Sequence, residues 1–147
     1  MTMMKEQDRS KRMYDPISSL RGVDVVVKEK LLAEGIKYAH QLLELGKTRQ
    51  QRAELAERTG ISVQTMQTLV YCADLMRMRG IGSDLSYLLA CAGVRNCREL
   101  QGCVPEQLYK RLAEIHIGQR VAYHAPTLAQ VRSWVNEAKT LASASPE

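Results

Sequence analysis

Two stretches decide how this chain folds, and they spell one pattern: Leu20–Ile36, LRGVDVVVKEKLLAEGI, and Met78–Val94, MRGIGSDLSYLLACAGV. Gly22 and Gly80 lie 58 residues apart, and at that offset the match continues through Val23/Ile81, Val27/Leu85, Leu31/Leu89, Gly35/Gly93 and Ile36/Val94. Lys37 then faces Arg95, and Leu42 faces Leu100. Agreement falls on glycines and apolar positions, where a shared backbone path imposes it. Each copy also has an echo downstream. Leu55-Ala56-Glu57 returns as Leu112-Ala113-Glu114, and Val70 and Ala73 return as Val135 and Ala138, at a longer offset that implies about eight extra residues, assigned to a 117–126 loop. Repetition on this scale is the signature of a duplicated unit.

Between the repeats the chain reads as helix. Polar/apolar alternation of the strand kind is scarce, while start and stop signals are dense. Gly35, Gly46, Gly60, Gly93 and Gly102 each follow an apolar run with helical spacing. Thr48-x-x-Gln51 and Thr127-x-x-Gln130 have the capping-box pattern, with Asn96-x-x-Glu99 a variant. The pattern predicts helices near 17–20, 25–34, 38–45, 49–58, 63–78, 83–92, 96–101, 105–116 and 127–142. Trp134, with Val131, Val135 and Ala138, marks the core stripe of the last. The predicted fold is all-α and compact, with two pseudo-symmetric repeats at 17–79 and 80–142, the second hairpin beginning near residue 75. A flexible basic tail at 1–16 and a frayed end at 143–147 complete the organisation.

Composition bounds the function. With 147 residues, 45% apolar and 25% charged, this is globular rather than disordered chemistry. No stretch approaches the roughly 20 apolar residues of a membrane span, and no apolar leader follows Met1, so a cytoplasmic location away from membranes is expected. The net charge of +5 suits an anionic partner without demanding one. Cys72, Cys91, Cys97 and Cys103 lack the spacing that presents paired thiolates to zinc, and are expected to be reduced core residues. No cofactor, metal or small-molecule substrate is expected.

Met78-Arg79-Gly80-Ile81-Gly82, followed by an apolar-patterned helix ending at Gly93-Val94, resembles the helix-hairpin-helix motif. Two such units resemble the tandem helix-hairpin-helix domains of DNA repair and recombination proteins. With RAELAERTGIS and ADLMRMRGIG, the chain looks like a mostly bacterial helix-hairpin-helix family of unassigned function. The resemblance implies a turn whose glycines permit a sharp reversal, with Ile81 as a wedge. It leaves main-chain N–H groups free at the start of the next helix, where the macrodipole favours a phosphate. The nucleic-acid-binding residues it points to are Gly80, Ile81, Gly82 and Ser83, flanked by Arg77, Arg79, Arg95 and Arg98. Contacts of this kind fix position on duplex DNA without reading sequence.

The first copy departs from this pattern. Asp24 stands where Gly82 stands, and a carboxylate there caps the amides a phosphate would need. Arg21, Gly22, Val23 and Asp24 are therefore expected to form a structural turn. Asp84, in the first turn of the second helix, also opposes an incoming anion, and Ser83 is expected to cap. The expectation is weak, non-specific binding of duplex DNA by a non-enzymatic module. The alternative is a protein-interaction or assembly module on the same scaffold, with an exposed patch near Met76–Met78 as its signal; core burial of that stretch is the preferred reading. The larger two-lobed helix-hairpin-helix glycosylases place a catalytic Asp beyond the hairpin, and this shorter chain offers no counterpart, which argues against an enzyme.

Overall fold

The computed structural model describes residues 15–119 and 124–147. Over the described residues the chain is all-helical: α1 Val25–Ala33, α2 Ala39–Leu45, α3 Arg49–Thr59, α4 Val63–Leu75, α5 Ser83–Cys91, α6 Cys97–Gln101, α7 Pro105–Gln119 and α8 Leu128–Leu141. Short 3-10 turns precede α1 (Ile17–Ser19) and follow α8 (Ala142–Ala144). Helix starts obey local chemistry. The Thr48 and Thr127 hydroxyls take the N–H of Gln51 and Gln130, and those glutamines reach back to the threonine amides. Asn96 caps α6 through the Glu99 N–H.

The sequence correspondence is matched by main-chain geometry. Val23 N–H donates to Leu20 C=O and Ile81 N–H to Met78 C=O; Ile36 N–H donates to Leu31 C=O and Val94 N–H to Leu89 C=O. The Gln41 side chain accepts from Lys37 N–H over 2.7 Å, as Glu99 accepts from Arg95 N–H over 2.9 Å. Packing repeats as well: α2 lies on α4 as α6 lies on α8, α3 on α4 as α7 on α8, and α1 on α3 as α5 on α7.

Each half encloses its own core. One gathers Leu31, Ile36, Leu42, Leu55, Met66, Val70 and Met76; the other gathers Met78, Ile81, Leu89, Val94, Leu100, Leu112, Val131 and Trp134. Each fully buried Leu removes enough apolar surface from water to contribute about 1.5–3 kcal/mol before entropy is counted. Met76 and Met78, at 1% and 0% exposure, belong to these cores, as the preferred reading of that stretch has it.

Several expectations need correction. α4 stops at Leu75, not residue 78, because the chain tightens into a turn there, Arg77 N–H and Met78 N–H bonding the Asp74 and Leu75 carbonyls. α7 continues through Ile117 to Gln119, so part of the expected loop is helix. Cys91 is exposed; Cys97 is buried, and Cys72 and Cys103 are half-buried. The end is not frayed: Ala142 N–H continues the α8 ladder, and Ser145 and Pro146 are buried against the rest of the chain. Most of the basic tail, with Lys5, Arg9, Lys11 and Arg12, lies outside the described residues; Asp15 and Pro16 pair with the start of α2. Among the described residues no helix is long and apolar enough to cross a membrane, and no group of His, Cys, Asp and Glu is placed to hold a metal ion.

Candidate functional site

The second turn is built by α4 ending early. Arg77 N–H and Met78 N–H close tight bonds to Asp74 and Leu75 carbonyls, and Gly80 then takes φ +85°. A side chain strains that left-handed conformation, so glycine is needed there. Ile81 is fully buried in the second core. Gly82 differs from the expectation: at φ −95° and ψ −166° it is extended, and its backbone angles do not require glycine. Its missing side chain matters instead. No side chain caps α5, and the amides of Gly82, Ser83 and Asp84 find no acceptor among the described residues. An open cleft of about 470 Å³, lined by Gly80, Gly82, Ser83, Asp84, His124 and Gln130 among others, lies over them.

The first turn has the same shape and the opposite chemistry. Gly22 takes φ +94°, and Asp24, at φ −86° and ψ −177°, nearly superimposes on the backbone state of Gly82. Its carboxylate accepts the Val27 N–H over 2.8 Å, the cap expected from sequence. Val23 packs partly buried on the first core.

The two turns meet. Arg21 N–H donates to the Ser83 hydroxyl over 2.6 Å, so Ser83 ties the halves together instead of capping its own helix. The Arg21 guanidinium lies 3.3 Å from the Asp84 carboxylate and 4.2 Å above the Tyr87 ring. The first-copy arginine thus offsets the acidic residue that opposes an anion at α5.

The flanking arginines separate. Arg79 is exposed and makes no hydrogen bond or ion pair among the described residues. Arg77 does not reach the cleft: its Nη2 lies 2.5 Å from the buried Asp74 carboxylate and also donates to Leu141 C=O. Arg95 pairs with Glu99 over 3.2 Å beside the Tyr71 ring. Burial pushes the Glu99 carboxyl up, but the Arg95 hydrogen bonds outweigh it and hold Glu99 below the usual range; the same bond raises Arg95. Arg98 donates to the Ser145 and Pro146 carbonyls. Among the described residues, Arg79 alone of the expected cations stands uncommitted beside the turn.

A family model described as a domain of unknown function, DUF4332, matches residues 21–141. The chain belongs to the DUF4332 family. No curated protein and no solved structure matches it. The matched span of this DUF4332 chain takes in both turns and every helix from α1 to α8.

Sequence reasoning placed Arg21 in the first turn without its partners Ser83 and Asp84, and it missed one residue that organises this region. Asp74 sits within an apolar run, LVYCADLM, and that isolation is its only signal. The structure buries it completely, holding Arg77, the Ser145 hydroxyl and the Cys97 N–H.

Proposed function

We propose that this DUF4332 chain is a duplicated helix-hairpin-helix module, without catalysis of its own, that binds duplex DNA weakly through its phosphate backbone and without sequence preference. The observation that carries this reading is the uncapped start of α5, its amides open to a cleft, with Arg79 exposed alongside. Oriented amides and a positive helix end favour a phosphate oxygen. Arg21 beside Asp84 lessens the repulsion such a guest meets. With two or three phosphates neutralised, log K against log salt has a slope of about −2 to −3. Fluorescence anisotropy of a random duplex at low and high salt tests this. Arg79→Glu weakens binding several-fold and leaves the circular-dichroism melt unchanged; affinity indifferent to salt ends the reading.

A protein-interaction role on the same scaffold draws support from the ion pairing that already occupies Arg77 and Arg95. Size-exclusion behaviour and salt-insensitive capture of a protein partner distinguish it.

A further inference from the structure

A cavity of about 140 Å³ lies in the seam between the halves, walled by Tyr71, Cys72 and Leu75 of α4 and by Tyr87 and Ala90 of α5. Its buried polar groups satisfy one another. The Ser86 hydroxyl donates to Ser83 C=O over 2.9 Å, so the Cys72 thiol, 2.8 Å away, donates to the Ser86 oxygen. Burial pushes that thiol up, against the lowering effect of the Ser86 and Ser83 hydroxyls, and it stays neutral near pH 7. The surface left facing the cavity is mostly apolar.

Charge sits at the rim. Among the described residues that line the cavity, Arg21 and Arg95 are cations and no carboxylate joins them. Arg21 comes from the first half and Arg95 from the second, and each guanidinium is held near a wall ring: Arg21 4.2 Å above Tyr87, Arg95 5.6 Å from Tyr71. Such placement orders a cation before any ligand arrives. Their acidic partners, Asp84 and Glu99, stand outside the lining, and the pairing leaves donors over. Arg21 meets Asp84 through Nη1, and its Nε–Nη2 edge makes no hydrogen bond among the described residues. That edge can take a carboxylate in two parallel bonds. Arg95 gives Nε and Nη2 to Glu99 and keeps Nη1. With one carboxylate already on each guanidinium, the remaining field suits a single negative charge better than a dianion.

Size sets the rest. An apolar protein cavity of about 150 Å³ takes up a benzene, so this one has room for one six-membered ring. We propose that the seam cavity binds a small monocarboxylic acid, its apolar body of one ring's size between α4 and α5 and its carboxylate on Arg21 and Arg95. A mostly apolar pocket with a few convergent polar groups, set between packed helices, is the usual form of a small-molecule site. The inference is independent of nucleic-acid binding. It makes Arg21 the anchor, through its unused edge, and Arg95 the second donor.

The test is an amide NMR titration of the full chain with sodium benzoate, which shifts Cys72, Tyr87 and Ala90 saturably. Benzyl alcohol, the same ring without the charge, binds about tenfold more weakly, the worth of one charge-assisted hydrogen bond. Acetate, the charge without the ring, is weaker by at least about as much. Arg21→Met weakens benzoate binding several-fold and leaves that of benzyl alcohol unchanged. Ala90→Leu fills the cavity from an exposed position and abolishes benzoate binding; should it melt early, Thr68→Leu, also exposed, fills it from α4 with the same result. The absence of a saturable shift, equal binding of benzoate and benzyl alcohol, or benzoate binding unchanged in a filled chain overturns the proposal.

Discussion

The Arg21 main-chain N–H and the Ser83 hydroxyl, 62 positions apart in sequence, are joined by a 2.6 Å hydrogen bond that fixes the two glycine turns side by side. The bond makes the second turn's first helical residue part of the joint between halves. Ser83→Ala leaves the amide without that acceptor in a partly wet site and costs about 1 kcal/mol, read from denaturant unfolding. Ser83→Thr keeps the oxygen and recovers most of it.

Gly80→Ala places a Cβ 3.9 Å from the Trp134 indole nitrogen, an ordinary contact, so its cost comes from the backbone alone. At φ +85° that cost is about 1–2 kcal/mol, and Gly22→Ala, at φ +94°, shows a similar loss. Thermal melts of the two single variants check the equivalence of the turns.

Asp74 holds Arg77, Ser145 and the start of α6 from a fully buried position. Asp74→Ala leaves the largely buried Arg77 guanidinium without its carboxylate, and removing one partner of such a pair costs about 3–5 kcal/mol. Chemical denaturation measures it; a loss below about 1 kcal/mol contradicts the role given to Asp74.

Burial, with the Asp74 carboxylate nearby, pushes the Cys97 thiol up from 9.0 to about 12. The unfolded chain therefore releases this proton first as pH rises. The contribution is fully present below pH 9 and is lost progressively as pH climbs from there toward the folded value, at up to about 1.4 kcal/mol per unit. Cys97→Ala removes this part of the alkaline slope, measured by urea midpoints across that range. Under a thiol reagent at neutral pH, exposed Cys91 reacts first and Cys97 last.

Much of the fold is legible because its signals are local. The Thr48 and Thr127 caps, the Asp24 cap and the apolar periods of α4 and α8 all act within one or two helical turns. The repeat adds one long-range constraint, and the matched packing of the halves follows it. What stayed hidden depends on docking. Nothing near Arg77 in sequence announces that its guanidinium turns to Asp74 and Leu141, away from the turn it flanks. Polar tail residues read as frayed because their carbonyls have no partner until Arg52, Arg98 and Tyr71 converge on them. The role of Gly82 was half legible: the absent side chain matters, the backbone angles do not.

The central claim is that α5 begins with amides left open for a phosphate, that of Leu85 included, where Asp24 closes the corresponding amide of α1, that of Val27. Gly82→Asp tests it most directly, because the backbone angles at Gly82 already suit the Asp24 cap. The substitution stabilises the fold by about 1 kcal/mol through capping. In an anisotropy titration with random duplex at low salt it abolishes binding that the unaltered chain shows. Unchanged DNA affinity in a well-folded Gly82→Asp chain contradicts the account.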